Sequence, residues 1–295
     1  AFYYAYTPMQ IPAGLLGDHF GPKKIMVTAM CLCSLATLAY ASTQQLAIFV
    51  FARFITGFSS SFAYIGPLML ASTWFPKRYF PAITGCIQTI GCLGAIFGEE
   101  VIANSAEHIG WRPTLLIMGG AGFIIFILYL IFLENSPTSL IPSPRKTATN
   151  ALKINEWQRF RIVIGQNKNW VIAFLGLASW APMAVLAELW GIPYLEVKHH
   201  ISPEAATQIV LWIWIGTAVS SPIIGWISSI FMRRKALLLI AFAVTFITSS
   251  LLFYTELSPL AEKICFFTLG SASAAQCLTF ALIHDNNHPK QLGTA

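Results

Sequence analysis

The chain has 295 residues, of which 56% are hydrophobic and only 10% are charged. Soluble globular domains carry roughly 25% charged residues, so this composition excludes an ordinary water-soluble protein and indicates one that folds in lipid. The formal charge of +6 does not call for a nucleic-acid partner, because all but one of the Lys and Arg residues lie in loops between apolar segments.

Nine apolar segments approach or exceed the length of about 20 residues that a bilayer-spanning helix needs. They lie near 1–16, 24–42, 46–71, 82–103, 113–133, 170–193, 205–230, 236–254 and 260–283, and a tenth begins near Pro289. Because the first residue already lies in an apolar stretch, we expect the chain to begin within a segment. No alternating strand pattern is present, so the sequence predicts an all-α polytopic membrane protein.

The loops predict the orientation and the domain boundary. Fourteen of the eighteen Lys and Arg residues fall in one alternate set of loops and three in the other, and the set rich in Lys and Arg faces the cytoplasm. The longest loop, 134–169, contains "ENSPTSLIPSPRKTATN". Its Ser, Pro and Thr content indicates a cytoplasmic linker between an N-terminal bundle, 1–133, and a C-terminal bundle, 170–295.

Two pairs of motifs recur at nearly one interval. "GLLGDHFGPKK", which starts at Gly14, aligns with "GWISSIFMRRK", which starts at Gly225. "FPKRYFPAITG", from Phe75, aligns with "HPKQLGTA", from His288, at almost the same separation along the chain. Two unrelated pairs at nearly one interval predict a duplicated half, and parallel repeats of this kind are typical of membrane transporters.

These motifs resemble those of the major facilitator superfamily. The pattern G-x-L-x-D-x-x-G-x-K-K is similar to the signature that follows the second helix of that family, and "RFITG", from Arg53 to Gly57, is similar to its fourth-helix motif. The resemblance implies two pseudo-symmetric bundles of six helices, of which this chain would hold helices 2–6, helices 7–10 and the start of helix 11. The opening segment also resembles bacterial amino-acid and metabolite carriers.

The resemblance implies that the first motif is a latch that stabilises the state closed to the cytoplasm. Asp18 would bind helix ends and loop cations, although a simple loop-capping role is the alternative. Gly14 would allow close backbone approach and Gly21 a sharp turn. Lys23 and Lys24 would hold the loop at the anionic inner leaflet.

The second copy of the latch keeps Gly225 and Arg234 but has Ser229 at the position of Asp18. Without that carboxylate we expect a weaker latch, and hence two energetically unequal halves.

Near this cytoplasmic end, Asp285 is interpreted as interfacial charge. His199 is placed in an outer loop, and no metal site is expected, because the histidines lack a cluster of other ligands.

An arginine within a span is costly, by about 2.5–3.5 kcal/mol at a helix centre, and is therefore usually functional. Arg53 begins a polar face that continues through Thr56, Gly57 and Ser60 at helical spacing. We expect Arg53 to bind a substrate carboxylate or to pair with an acid that protonation releases. Snorkelling of its side chain to the outer surface is the alternative.

Two carboxylates are candidates for proton coupling, since a carboxylate removed from water holds its proton more readily. Glu188 shares a helical face with Trp180, and Pro193 weakens the helix just beyond it. A position at the watery outer rim is the alternative for Glu188. Glu99 shares a face with Gln88 near the end of the predicted span 82–103.

Six residues are predicted to contact a solute: Arg53, Tyr6, Gln10, Gln88, Trp180 and Gln276. For Tyr6 and Gln10, hydrogen bonding between helices is an equal alternative, and plain packing is the alternative for Gln276.

The expected function is secondary active transport of a small amino acid or organic acid by alternating access, with proton-coupled uptake favoured. No Walker-type phosphate loop and no nucleophile–base constellation is present, so neither an enzyme nor a cofactor is expected. The antiport signature of the fifth helix in the family pairs glycine with proline, and that proline is missing here. A drug or metabolite exporter using proton antiport and a non-transporting solute sensor are the alternatives. We expect a monomer in a bacterial inner membrane, with lipids and the solute as its partners.

Overall fold

The computed structural model describes residues 1–134, 161–231 and 233–287, except the side chains of Glu99, Glu100 and Ala103. Regular structure in the described residues is helical, which confirms the predicted fold class. In chain order the elements are α1 (Phe2–Phe20), α2 (Pro22–Ser42), α3 (Leu46–Ser60), α4 (Phe62–Trp74), α5 (Phe80–Ile109), α6 (Trp111–Phe132), α7 (Asn167–Pro182), a π-helical segment (Met183–Trp190), α8 (Gly191–His199), α9 (Pro203–Phe231), α10 (Arg234–Tyr254), α11 (Pro259–Ser273) and α12 (Gln276–Asn286).

Eight parts of the described chain are helical, long and apolar enough to cross a membrane: Pro22–Ser42, Leu46–Trp74, Phe80–Gly98, Trp111–Phe132, Asn167–His199, Pro203–Phe231, Arg234–Tyr254 and Pro259–Asn286. They correspond to eight of the nine predicted spans. The first predicted span forms a 19-residue helix, α1, but is not among the eight. Its two prolines, three tyrosines, Gln10 and Asp18 reduce its apolar character. The predicted start of a tenth span, near Pro289, lies outside the described residues.

Three of the eight spans are interrupted. The span Leu46–Trp74 breaks at Ser61, between α3 and α4, and the span Pro259–Asn286 breaks at Ala274, between α11 and α12. The span Asn167–His199 changes to π-helical geometry at Met183 and returns to α-helix at Gly191. Interrupted spans are frequent in transporters, where they line polar cavities.

The interruptions support the duplication predicted from the motifs. Ser61 and Ala274 have almost the same backbone angles, with φ −61° and ψ −22° at Ser61 and φ −57° and ψ −23° at Ala274. The interval between them along the chain equals the interval from Phe75 to His288 in the second pair of motifs. Two copies of one helical unit therefore break at the same internal position.

The same correspondence holds for a helix crossing. A Cβ atom on Gly57 of α3 would overlap the backbone of Phe2 in α1, and a Cβ atom on Gly270 of α11 would overlap the backbone of Ile213 in α9. Gly57 and Gly270 are separated by the same interval along the chain as the breaks at Ser61 and Ala274. Their partners, Phe2 and Ile213, are separated by the same interval as the two motifs of the first pair. Glycine is needed at both crossings because the helix backbones are in direct contact.

The described chain divides into two compact units. Unit 1 contains residues 1–75 and 100–134, and its core is Ala13, Ile25, Met26, Ala29 and Phe62. Residues 161–166 and 287 also belong to it. Unit 2 contains residues 76–99 and 167–286, and its larger core includes Met183, Leu195, Ile213, Leu252 and Phe266. Of the predicted linker, residues 135–160 lie outside the described chain.

The first part of α5 belongs to unit 2 because it packs on α9. A Cβ atom on Gly85 would overlap the Ser221 carbonyl of α9, and the Thr89 hydroxyl donates a hydrogen bond of 2.7 Å to the Ala218 carbonyl. Small residues on both helices allow this approach. Residues 76–99 therefore pack with the chain that follows the linker, although they precede it.

Candidate functional site

The candidate solute-binding group of unit 1 is Arg53, which is exposed on α3. Its guanidinium carbon lies 5.2 Å from the centre of the Tyr40 ring and 5.9 Å from the centre of the Phe2 ring. The Tyr6 ring stacks on Phe2 with a centroid distance of 5.6 Å and an interplanar angle of 16°. Aromatic faces attract a cation within about 6 Å. Among the described side chains, no carboxylate forms an ion pair with Arg53.

The rest of the predicted polar face of α3 points elsewhere. Gly57 is buried against the backbone of Phe2, and the half-buried Thr56 hydroxyl donates to the Ala52 carbonyl of its own helix at 2.9 Å. Gln10 is half-buried on α1, one turn beyond Tyr6. The structure therefore brings Arg53 together with Tyr6 through Phe2, while Gly57 serves the helix crossing.

The candidate group of unit 2 is Glu188, which lies in the predicted span 170–193 and is exposed within the π-helical segment. Pro182 ends α7 immediately before that segment, and Pro193 follows it in α8. Prolines lack the amide hydrogen that an α-helix requires. Gly191 completes the arrangement, because a Cβ atom there would overlap the Leu186 carbonyl at the preceding turn. The sequence predicted a weakening at Pro193, whereas the helix already changes at Met183.

The predicted shared face of Trp180 and Glu188 assumed that the helix is α-helical throughout. This assumption is wrong for Met183–Trp190, which is π-helical. A π-helix has more residues per turn than an α-helix, so the side chains beyond Pro182 rotate away from the expected face. Trp180 is half-buried and packs against the core of unit 2. Glu188, by contrast, is exposed.

The remaining predicted residues of unit 2 lie at different depths. Gln88 is buried on α5, as is Cys92 one turn later. Glu99 lies in α5, but its side chain is outside the described residues. Gln276 begins α12 and is half-buried, and its backbone carbonyl accepts a hydrogen bond of 2.7 Å from the Thr279 hydroxyl.

The first latch motif lies at the junction of α1 and α2. Gly14 is buried, and Gly21 has φ 83° and ψ 156° between the two helices. This backbone conformation is almost restricted to glycine. Asp18 and Lys23 are half-buried, while Lys24 is exposed. The motif therefore forms a tight corner between α1 and α2 in which Asp18 and Lys23 are partly shielded from solvent.

The second latch motif obtains a carboxylate from another helix. Ser229 donates its hydroxyl to the Gly225 carbonyl of its own helix at 2.9 Å. Arg234, which is buried at the start of α10, forms an ion pair with Asp285 of α12 and donates to the Ala281 carbonyl. Asp285, which was interpreted as interfacial charge, is therefore also the ion-pair partner of Arg234.

Sequence reasoning missed one charged cluster altogether. Glu262 in the first turn of α11 is only 1% exposed, and its Oε1 atom lies 2.6 Å from His199 Nε2 and 3.2 Å from Lys198 Nζ. His199 is the last residue of α8 rather than part of a loop, so that prediction was also wrong. A single carboxylate near the start of a predicted apolar span was the available signal.

The family model described as Major Facilitator Superfamily matches residues 1–295. The chain belongs to the Major Facilitator Superfamily. This confirms the resemblance inferred from the motifs at Gly14 and Arg53. Members of this family are transporters rather than enzymes, which agrees with the expected lack of catalytic machinery. The family and the eight apolar helical spans together show a multi-pass membrane protein.

Two curated members of the superfamily are similar to this one over part of their length. The probable sulfoacetate transporter SauU of Cupriavidus necator is 27% identical over 137 residues, which cover 46% of this chain and 32% of SauU. The probable galactarate/D-glucarate transporter GarP of Escherichia coli is 27% identical over 166 residues, which cover 53% of this chain and 36% of GarP. The matched region thus spans about a third of each curated relative.

The solved structure of the fucose:proton symporter FucP of E. coli shares the superfamily fold. It superposes with a TM-score of 0.73, covers 99% of this chain and 77% of FucP, and has 17% sequence identity. At that identity the likeness concerns the fold alone. It confirms the predicted helical transporter architecture.

Proposed function

We propose that the protein carries a small organic anion bearing a carboxylate across a bacterial inner membrane by alternating access, in proton-coupled uptake. The proposal narrows the predicted solute, an amino acid or an organic acid, to the organic acid. Its support comes from the chemistry of unit 1, from the exposed carboxylate of unit 2, and from the relatives, whose names refer to sulfoacetate and to the two sugar diacids galactarate and glucarate.

The observation that carries the proposal is the environment of Arg53. A guanidinium within a membrane span is costly unless it has a partner or a function. The described residues provide two aromatic faces to Arg53 and no carboxylate. Aromatic rings hold the cation in place but leave its N–H groups available, and a carboxylate can accept two of them in parallel. A solute carboxylate is therefore the partner that best fits this group.

The proton-coupling part of the proposal depends on Glu188. Its carboxyl group is exposed on a helical segment bracketed by two prolines. The π-helical geometry leaves the backbone of this segment less regular than that of its neighbours, and such segments are frequent at functional sites. Protonation of Glu188 would remove the negative charge of this segment, and we expect the proton to enter together with the anion.

The test uses full-length protein in proteoliposomes that contain a pH-sensitive dye. Glucarate, galactarate, sulfoacetate, a pool of amino acids and a neutral sugar are added outside in separate runs, and solute-triggered proton entry is recorded. We expect entry with the organic acids only. A response to amino acids alone would contradict the proposed solute. Proton movement outward on addition of the acids would favour the exporter.

Two matched pairs of variants assign the roles. Arg53→Gln should lower kcat/KM for the anion by roughly 10- to 100-fold, since hydrogen bonds to charged groups contribute about 1.5–3 kcal/mol. Its control is Arg112→Gln, which removes an exposed arginine that also lies over a ring, at 4.9 Å from Trp111. In Arg112→Gln, kcat/KM for the anion should stay within about twofold of the native value, which is well short of the effect of a lost charged hydrogen bond.

Glu188→Gln should abolish proton entry while labelled anion still equilibrates across the membrane. The exposed Glu204, in the first turn of α9, gives the control Glu204→Gln, which should keep proton entry. Retained proton entry in Glu188→Gln would remove the coupling role of this residue.

A further inference from the structure

The buried carboxylate of Glu262 is bound by two residues of a different helix. His199 Nε2 and Lys198 Nζ, at the end of α8, lie 2.6 Å and 3.2 Å from the same carboxylate oxygen, Oε1. Glu262 itself is 1% exposed, whereas the two basic side chains are 27% and 20% exposed. A buried carboxylate is stable only when it is paired and hydrogen-bonded. The end of α8 supplies those partners.

The same end of α8 is also bound to α10. Lys198 Nζ donates to the Leu252 carbonyl at 3.0 Å, and the Tyr194 hydroxyl donates to that carbonyl at 2.9 Å. The ammonium group of Lys198 lies 5.3 Å from the centre of the Tyr194 ring. Three polar side chains of one short helix therefore converge on α10 and α11.

The other end of α8 follows the π-helical segment that carries Glu188. The position of α8 against α10 and α11 therefore sets where that segment ends. We propose that Lys198, His199 and Glu262 form an anchor, tightened by acid on the outer side of the membrane, that positions the π-helical segment and its Glu188. These three are positioning residues, since none of them is placed in contact with the solute. The effect on transport rests on the proposed function.

The titratable groups around this anchor determine the sign of its pH dependence. Glu262 faces Lys198 and His199, with the Cys265 thiol on its own helix and Tyr194 on α8 nearby. On α10, Lys198 and Tyr194 bind the uncharged Leu252 carbonyl. Among these groups, the imidazole is the one that acid converts from a neutral to a cationic hydrogen-bonding partner. Protonation of His199 turns its hydrogen bond to Glu262 into an ion pair, so the anchor is stronger in acid.

The placement on the outer side follows from the distribution of basic loops. Lys198 and Lys263 belong to the set of loops with few Lys and Arg residues, which faces away from the cytoplasm. The pH of the outer compartment therefore controls this anchor. At low outer pH, when protons are abundant for coupled uptake, α8 is held firmly against α10 and α11.

The first test is hydrogen–deuterium exchange of the backbone amides of residues 191–201 in the full-length protein in lipid nanodiscs. Rates are measured at about pH 5.5 and about pH 8 and divided by the intrinsic exchange rate at each pH. Protection should be about fivefold greater in acid, because a charge-assisted hydrogen bond is roughly twice as strong as a neutral one. This readout does not require transport.

Variants separate the anchor from general stability. His199→Gln keeps a hydrogen-bonding group but cannot be protonated, so the acid-dependent protection should disappear. His200→Asn is the matched control: the neighbouring side chain is exposed, and its left-handed backbone, with φ 53°, suits asparagine. Glu262→Gln should reduce protection at both pH values. If that variant fails to fold, the comparison of His199→Gln with His200→Asn decides alone.

Transport provides the second readout. His199→Gln should flatten the outer-pH dependence of kcat while KM for the anion changes by less than about twofold, because the anchor positions Glu188 and does not bind solute. If the native protein and all the variants fail to transport the organic acids, the proposed function is refuted, while the exchange result for the anchor stands. Protection of residues 191–201 that does not change with pH in the native protein, or that changes equally in His199→Gln, would overturn the anchor.

Discussion

The crossing of α1 and α3 provides a sharp test of the fold around Arg53. Gly57 of α3 is buried against Phe2 of α1, and a Cβ atom added to it would lie 2.9 Å from the Phe2 carbonyl carbon and 3.0 Å from its Cα atom, with the carbonyl oxygen closer still. Ordinary carbon contacts are about 3.5–4.0 Å. The change Gly57→Ala must therefore push the two helices apart by about 1 Å to restore such contacts.

The matched control is Gly120→Ala in α6 of the same unit, where an added Cβ atom meets nothing within 4 Å. Both changes gain about 1 kcal/mol of helix propensity, so this term cancels between them. Only Gly57→Ala also forces a close-packed contact apart, at a cost of about 1–3 kcal/mol. The difference in stability between the two variants is therefore about 1–3 kcal/mol.

The assay is thermal unfolding of the purified full-length variants in one detergent, compared side by side. For a chain of this size, 1 kcal/mol corresponds to about 2–3 °C, so Gly57→Ala should unfold roughly 2–9 °C below Gly120→Ala. Arg53 should also lose its contact with the Phe2 ring, and anion affinity should fall with it. Equal unfolding temperatures for the two variants would refute the direct backbone contact between α1 and α3.

Three further changes test other parts of the fold in the same thermal assay. Gly270→Ala, at the equivalent crossing in unit 2, should be destabilised like Gly57→Ala, and a neutral result would contradict the structural repeat. Gly21→Ala should lower the free energy of unfolding by about 1–3 kcal/mol, because φ 83° with ψ 156° is almost closed to other residues. Gly21→Asn should be destabilised as much, and a native unfolding temperature in that variant would contradict the backbone conformation. Asp285→Asn should cost about 1–3 kcal/mol, since Arg234 stays buried without a carboxylate; a loss no larger than that of the exposed Glu256→Gln would count against the ion pair.

Length and apolarity were sufficient to predict eight spans of the described chain, because a bilayer imposes one minimum length on every crossing helix. They did not predict the breaks at Ser61 and Ala274. Alanine is the best helix former, so nothing local marks Ala274 as an interruption. Only the repeat relates this break to the one at Ser61.

The charged pairs illustrate a second limit of sequence reasoning. Arg234 was recognised as part of a latch and Glu262 was overlooked, yet neither partner was predicted. Arg234 and Asp285 are 51 residues apart, and His199 and Glu262 are 63 residues apart. Spacing along one helix identifies faces, but it does not indicate which helix ends meet. The face drawn through Glu188 failed for a different reason, namely that its helix is not α-helical there.

The duplicated crossings show how one scaffold acquires two chemistries. Arg53 lies one turn before Gly57, and the equivalent residue of the second copy, one turn before Gly270, is Phe266. Arg53 is exposed between aromatic rings, whereas Phe266 is fully buried in the core of unit 2. The backbone contact is the same in both copies, so the difference lies in the side chain alone. One guanidinium binds one carboxylate, and a second arginine at the buried equivalent position would add a desolvation cost without a partner. The proposed function therefore accounts for the charge in one copy and its replacement by a core residue in the other.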